Sequence, residues 1–210
     1  MMLHENANPH APDRCIFLVT GIMASGKSTV AQLLAEKLNR SVHLRGDSFR
    51  RMIVTGREEY MPEPSEEALR QLWLRYKITA STADTFFEEG FNVVVQDVVV
   101  GPFLGQFVEM VRNRPLYVIV LTPNEKAIEE REASRSKTGY GAWTISHLNK
   151  ILQTDTPKLG MWIDSSEQTP EETVEEILRR ICLEALPDPL PALHEKPEFG
   201  VIPNSGNSIV

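Results

Sequence analysis

Cysteine is scarce in this sequence: Cys15 and Cys182 are the whole complement of 210 residues. Neither has a second ligand at metal-binding spacing, which excludes a disulfide scaffold and a thiolate metal centre. Both lie in apolar segments and are expected to be buried free thiols of a reducing compartment. Long apolar runs are missing as well, since no stretch approaches the roughly 18 residues of a membrane span. Met1–Asp13 carries His4, Glu5, Asn6 and Asn8 where a signal peptide needs a basic start and an apolar run. The expected location is therefore cytoplasmic, with no membrane partner. Positive charge is short too: 22 Lys and Arg stand against 29 Asp and Glu, a formal net charge of -7. That balance argues against a nucleic-acid partner, which clustered Lys and Arg would have to hold.

What is present is an alternation of apolar runs and helical periods. Cys15–Thr20 reads as a buried strand stopped by Gly21, and Val30, Leu33, Leu34 and Leu38 follow at helical spacing. Ser41–Arg45 is a second short strand. From Ser65 to Glu89 the residues Leu69, Leu72, Tyr76, Ala80, Ala83 and Phe87 keep a helical period that ends at Gly90. Phe91–Asp97 is a third strand, apolar enough to be covered on both faces. Leu116–Leu121 is a fourth and Met161–Asp164 a fifth. Thr122-Pro-Asn-Glu125 and Thr169-Pro-Glu-Glu172 each read as a capping box with Thr at the N-cap. Val174, Ile177, Leu178, Ile181, Cys182 and Ala185 give a closing helix its apolar stripe. Strands alternating with helices predict one three-layer α/β domain built on a parallel sheet. Residues 1–13 are expected to be a disordered tail and residues 14–186 the folded domain. Residues 187–210, rich in Pro, are expected to be a second disordered tail.

Gly21-Ile-Met-Ala-Ser-Gly26-Lys27-Ser28 matches G-x-x-x-x-G-K-[ST] between a strand and a helix, the context in which that pattern means phosphate binding. Glycines let the backbone fold tightly, so that N–H groups converge on phosphate oxygens at a helix N-terminus. Gly21, Ala24, Ser25, Gly26, Lys27, Ser28 and Thr29 are the candidate nucleotide contacts. Lys27 reaches the β- and γ-phosphates of such a nucleotide, and the Ser28 hydroxyl holds Mg²⁺. A glycine turn without ligand, or a site that binds without turnover, are the alternatives.

The charged residues at strand ends must supply the rest. Asp47, in Arg45-Gly-Asp-Ser-Phe-Arg50, is placed either to accept a proton from a substrate hydroxyl or to cap the helix starting near Ser48. Arg50 and Arg51 read as substrate contacts or as a solvated face. Asp97 stands where a carboxylate would hold the metal, directly or through water, or would contact the acceptor. Gln96 is expected on the other face of the sheet and is the less promising of the two. Arg131 and Arg135, four apart on one helix face, form a lid over a transferring phosphate or pair with Glu129, Glu130 or Glu132. His43 and His147 lack metal-ligand company, and Trp73, Trp143 and Trp162 read as core.

The phosphate loop, the Gly-Asp-Ser-Phe-Arg segment, the strand ending in Gln-Asp97 and the late arginine helix, in this order, resemble small P-loop kinases. The likeness is to chloramphenicol phosphotransferase-like and zeta-toxin-like proteins and, more distantly, to adenylylsulfate and gluconate kinases. It covers roughly Arg14–Leu186. The resemblance implies a five-stranded parallel sheet of order 2-3-1-4-5, ATP with Mg²⁺ as cofactors, Asp47 as base and Arg131 with Arg135 as catalytic arginines. It implies no acceptor, because Gly56–Ser65, with Tyr60, Met61, Pro62 and Pro64, matches no substrate motif. The expectation is an ATP-dependent kinase acting on a hydroxyl of a small metabolite or antibiotic, with a toxin acting on a sugar nucleotide as a special case. The alternative is a nucleotide switch with no small acceptor, although no guanine-reading Asn-Lys-x-Asp motif is present.

Overall fold

The computed structural model describes residues 14–134 and 140–183. The two tails expected to be disordered, residues 1–13 and 187–210, lie outside the described residues. The sheet has five parallel strands in the order β2-β3-β1-β4-β5, as the resemblance implies. These are β1 (Ile16–Thr20), β2 (Ser41–Arg45), β3 (Asn92–Gln96), β4 (Leu116–Leu121) and β5 (Met161–Ile163). β1 is central and all five of its residues are buried, which is why it reads as an unbroken apolar run.

Alternation along β1 and β3 divides the core into two clusters. Ile16, Leu18, Val93 and Val95 face one side, where Leu72, Tyr76, Ala80 and Ala83 of α3 (Glu66–Glu88) and Leu104 and Phe107 of α4 (Phe103–Met110) cover them. Phe17, Val19 and Val94 face the other side, covered by α1 (Lys27–Lys37) and α7 (Pro170–Leu183). Three short helices complete the fold: α2 (Asp47–Arg51), α5 (Glu125–Ala133) and α6 (Ile145–Lys150), the last running into a π-helical turn over Ile151–Asp155.

Two caps follow their residue chemistry. The Ser65 side chain accepts from Ala68 N–H at 2.9 Å and starts α3. At α7 the capping box is complete, with Thr169 Oγ1 accepting from Glu172 N–H at 3.2 Å and Glu172 accepting from Thr169 N–H at 2.8 Å. The box expected at Thr122 does not form. Asn124 caps α5 instead, accepting from Ala127 N–H at 2.9 Å, and Thr122 donates its hydroxyl to Ile163 O at 3.1 Å. Thr122 extends the β4–β5 pairing, so its side chain is spent on the neighbouring strand before the helix begins. Cys15 is buried as expected, but Cys182 is exposed, on the outer side of the last turn of α7.

Candidate active site

The loop between β1 and α1 folds through left-handed backbone at three points, Gly21 (φ 143°), Ala24 (φ 59°) and Gly26 (φ 94°). A side chain at Gly21 would bring a Cβ to 2.6 Å from Leu121 O, so the chain can turn here only without one. Such a run makes a concave nest of N–H groups that continues into the first turn of α1. Lys27 is 6% exposed and arches back over the loop, its ammonium donating to Ile22 O at 2.5 Å and Ser25 Oγ at 3.4 Å. These residues fit a phosphate chain: a nest, a helix N-terminus and a buried cation converge on one loop.

Arg131 comes to the same loop from the end of α5. Its Nη2 donates to Ser165 O at 2.6 Å, and its Nη1 lies 3.9 Å from the position a Gly26 Cβ would take. Arg135 lies outside the described residues. Past that point Tyr140 donates its hydroxyl to Met23 O in the phosphate loop at 2.7 Å. Trp143 Nε1 in turn donates to Tyr60 O at 3.1 Å, so this segment ties the loop to residues 53–64 across the site.

The opposite wall is built from β2, α2, α3 and the end of β3. Asp47 is the first residue of α2 and is not its N-cap, which is Gly46. Its carboxylate accepts from Arg50 Nε at 2.9 Å and from Arg51 Nε at 2.8 Å, and Arg75 Nη1 stands 3.9 Å away. Burial alone would raise the Asp47 carboxyl, but the hydrogen bonds and charges of Arg50 and Arg51 outweigh it and hold it below the ordinary range.

Asp97 sits deeper, its side chain 3% exposed. One oxygen accepts from Val98 N–H at 2.7 Å and pairs with Arg75 Nη2 at 3.1 Å; the other has no hydrogen-bond partner among the described residues. That second oxygen lies where a Cβ on Gly46 would be, so Gly46 must be glycine for Asp97 to reach the site. Burial pushes the Asp97 carboxyl up, opposed by Arg75 and by the Val98 N–H, with Asp47 also raising it and Lys27 lowering it. Asp47, Asp97 and Lys27 thus share one electrostatic neighbourhood.

The two neighbours at the end of β3 change places relative to the sequence reading. Gln96 does face away from Asp97, but the face it takes is the one bearing α1, where Ser28 Oγ donates to Gln96 Oε1 at 3.3 Å. Asp97 takes the α3 face and is committed to Arg75.

Arg75 is the residue that the sequence reading missed. Its side chain is 12% exposed, lies 5.3 Å over the Tyr76 ring, and bridges the two aspartates. The signal was available: Arg75 stands three residues after Leu72 and four before Thr79, within the buried stripe of α3. Gln71, also buried, donates to Gly56 O at 2.7 Å and accepts from Glu58 N–H at 2.9 Å, pinning the following loop to α3. A narrow cleft opens here between Arg50, Glu58, Tyr60, Gln71 and Arg75. Arg50 also pairs with Glu59. Trp143 is stacked on Tyr60 at 6.1 Å, and His147 lies against Trp143 at 5.3 Å. His43 of β2 hydrogen-bonds Gln32 of α1 through Nδ1.

The fold recurs among known proteins. The fold is similar to a sugar kinase from Janibacter sp. HTCC2649, at 19% identity and TM-score 0.60 over 81% of this chain and 95% of that one. It is also similar to APS kinase of Mycobacterium tuberculosis, at 15% identity and TM-score 0.57 over 81% and 98%. A UPF0200 protein of Aeropyrum pernix is 42% identical over 62 residues, 30% of this chain and 33% of that protein, so the match spans about a third of the relative's length. Among the described residues no helix is long and apolar enough to cross a membrane. The model of the AAA domain family matches residues 17–147, more than half of the sequence, and the chain belongs to that family.

Proposed function

We propose that the chain is an ATP-dependent phosphotransferase that moves the γ-phosphoryl group to a hydroxyl of a small molecule held in the cleft beside Asp47. The observation that carries this reading is the meeting of two unlike walls: a phosphate nest with Lys27 and Arg131, and an acidic pair, Asp47 and Asp97, with its own arginines. A protein that only hydrolysed or sensed a nucleotide would have no need of the second wall. Its cleft is lined by Arg50, Tyr60, Gln71 and Arg75, and Tyr60 is tied to the phosphate loop through Trp143 and Tyr140.

The roles follow from placement. Gly21, Ala24, Ser25, Gly26 and Thr29 form the phosphate cradle. Lys27 and Arg131 offset the charge that spreads over the transferring group, and Arg135 is proposed as a further lid arginine. Ser28 is proposed as the metal contact, where Mg²⁺ would help neutralise the charge of the phosphates. Asp47 is ionised at neutral pH and more exposed than Asp97, which suits it to take the acceptor's proton. Asp97, proposed from sequence as a metal ligand, is reassigned to the acceptor wall as the partner of Arg75. Within the family, a place beside the chloramphenicol phosphotransferase-like and zeta-toxin-like kinases is supported by the order of these segments, and a cytoplasmic location by the acidic composition with few cysteines.

Purified protein with Mg²⁺ and γ-labelled ATP, offered a library of hydroxylated antibiotics, nucleosides and sugars, tests the reading. It expects a labelled product that disappears in Lys27→Ala. Label released only as free phosphate, at a rate that no compound alters, would instead support a nucleotide switch.

A further inference from the structure

We propose that Gln96 takes the metal side at the end of β3, so that the Mg²⁺ accompanying the nucleotide is held here without a protein carboxylate. The inference rests on the nucleotide-binding reading of the phosphate loop but not on any acceptor.

The geometry starts from strand alternation. Gln96 and Asp97 are adjacent at the end of β3 and therefore project to opposite faces. Ser28, the residue to which the loop pattern gives the metal, lies on the α1 face and donates to Gln96 Oε1 at 3.3 Å. The carboxylate one residue on is bound by Val98 N–H and Arg75 on the α3 face, and its free oxygen is packed against Gly46. The position beside Ser28 is thus filled by an amide.

The side chains that meet Gln96 on this face are a hydroxyl and an imidazole. His43 of β2 interacts with Gln96 and is held through Nδ1 by Gln32 of α1 at 2.8 Å. Arg45, the register partner of Gln96, is exposed. Ser28, Gln96, His43 and Gln32 form a polar line along α1, and Gln32 at its far end donates to Glu36 Oε1 at 2.9 Å. Among the described residues no group of three or more His, Cys, Asp or Glu side chains is placed to hold a metal.

Chemistry gives the consequence. Mg²⁺ keeps several of its waters and binds through few protein oxygens plus substrate phosphates, with affinity set largely by the charge of its ligands. An amide oxygen can accept a hydrogen bond from a metal-held water as a carboxylate does, but it adds no charge. Metal affinity in this chain then comes mainly from the nucleotide, and the two bind as one unit. A protein with a carboxylate at this place would gather the ion on its own account.

The test uses the full chain and Mn²⁺ as the probe, with free Mn²⁺ read by electron paramagnetic resonance in the presence of AMPPNP. AMPPNP binding in EDTA is read separately by calorimetry, and circular dichroism confirms folding of each variant. Gln96→Glu, nearly the same size as the native side chain, is expected to tighten Mn²⁺ in the AMPPNP complex by about tenfold and to weaken metal-free AMPPNP. Gln96→Ala is expected to change Mn²⁺ affinity by less than about threefold, and Asp97→Asn by less than about twofold, since neither removes a charge from the metal side. The inference is overturned if Gln96→Glu leaves Mn²⁺ affinity unchanged while Asp97→Asn weakens it. If wild type binds AMPPNP neither with Mn²⁺ nor without it, the nucleotide reading itself falls and takes this inference with it.

Discussion

The two walls of the site are made by different means. The proposed phosphate loop is eight consecutive residues whose backbone forms the nest, so that φ > 0 at Gly21, Ala24 and Gly26 and a single lysine define it. The opposite wall has no such local unit. It is assembled from Asp47 on α2, Arg75 on α3 and Asp97 after β3, brought together only when β2 pairs with β3 and α2 packs on α3. The first is robust to the side chains around it; the second depends on charges that hold one another in place. A binding element that is contiguous in sequence can thus be kept while the wall facing it is rebuilt.

Removing the charge that joins the second wall should have the largest effect. Arg75→Leu leaves Asp97 buried without its cation, and such a loss costs about 3–5 kcal/mol. For a domain of this size that is a fall in Tm of about 6–20 °C, measured by calorimetry. The double variant Arg75→Leu/Asp97→Asn should recover most of the loss, which would show the coupling directly. On the first wall Lys27→Ala should lower phosphate transfer by about 10²–10³-fold while leaving Tm within a few degrees, because the loop is held by backbone geometry.

This contrast also explains what could be read from the sequence. The bounds of β2 and β4, the strand order and the phosphate loop follow from apolar runs, spacing and resemblance, each carried by neighbouring residues. The capping box at Thr169 was equally local, and it forms. What escaped depends on partners far away in the chain. Alternation placed Gln96 and Asp97 on opposite faces but could not say which face bears Ser28. Arg75 was passed over because a charge in a helix normally marks solvent, and only Asp97, 22 positions later, makes its burial tolerable. Thr122 lost its cap because β5 claims its hydroxyl. Cys182 was placed in the apolar stripe of α7, but the last turn of the helix leaves it exposed.

A smaller effect is expected at the joint between β2 and α2. Gly46→Ala places a methyl group against the Asp97 carboxylate and should destabilise by about 1–3 kcal/mol, read as a shift in urea midpoint. Introducing the same change in an Asp97→Ala background should largely remove the penalty.

The smallest effect concerns pH, where the two aspartates carry opposite signs. Asp47 is held below its ordinary value of 3.8, so its contribution to stability is complete above that value and is lost as pH falls through the lower folded value. Asp97 is held above 3.8, so the stability linked to it is complete below that value and is lost as pH rises through the raised folded value. Urea unfolding of wild type and Asp97→Asn, compared as pH is lowered from 7 to 4, should show wild type gaining on the variant. The advantage of wild type over Asp47→Asn should instead hold to about pH 4 and shrink below it.

The most direct test of the account is the Asp47→Asn variant, measured for both phosphate transfer and ATP binding with the acceptor found by screening. If the facing wall exists to activate an acceptor, transfer should fall by about 10²–10⁴-fold while ATP affinity stays within about twofold. Full transfer activity in Asp47→Asn, or a loss explained entirely by weaker ATP binding, would contradict it.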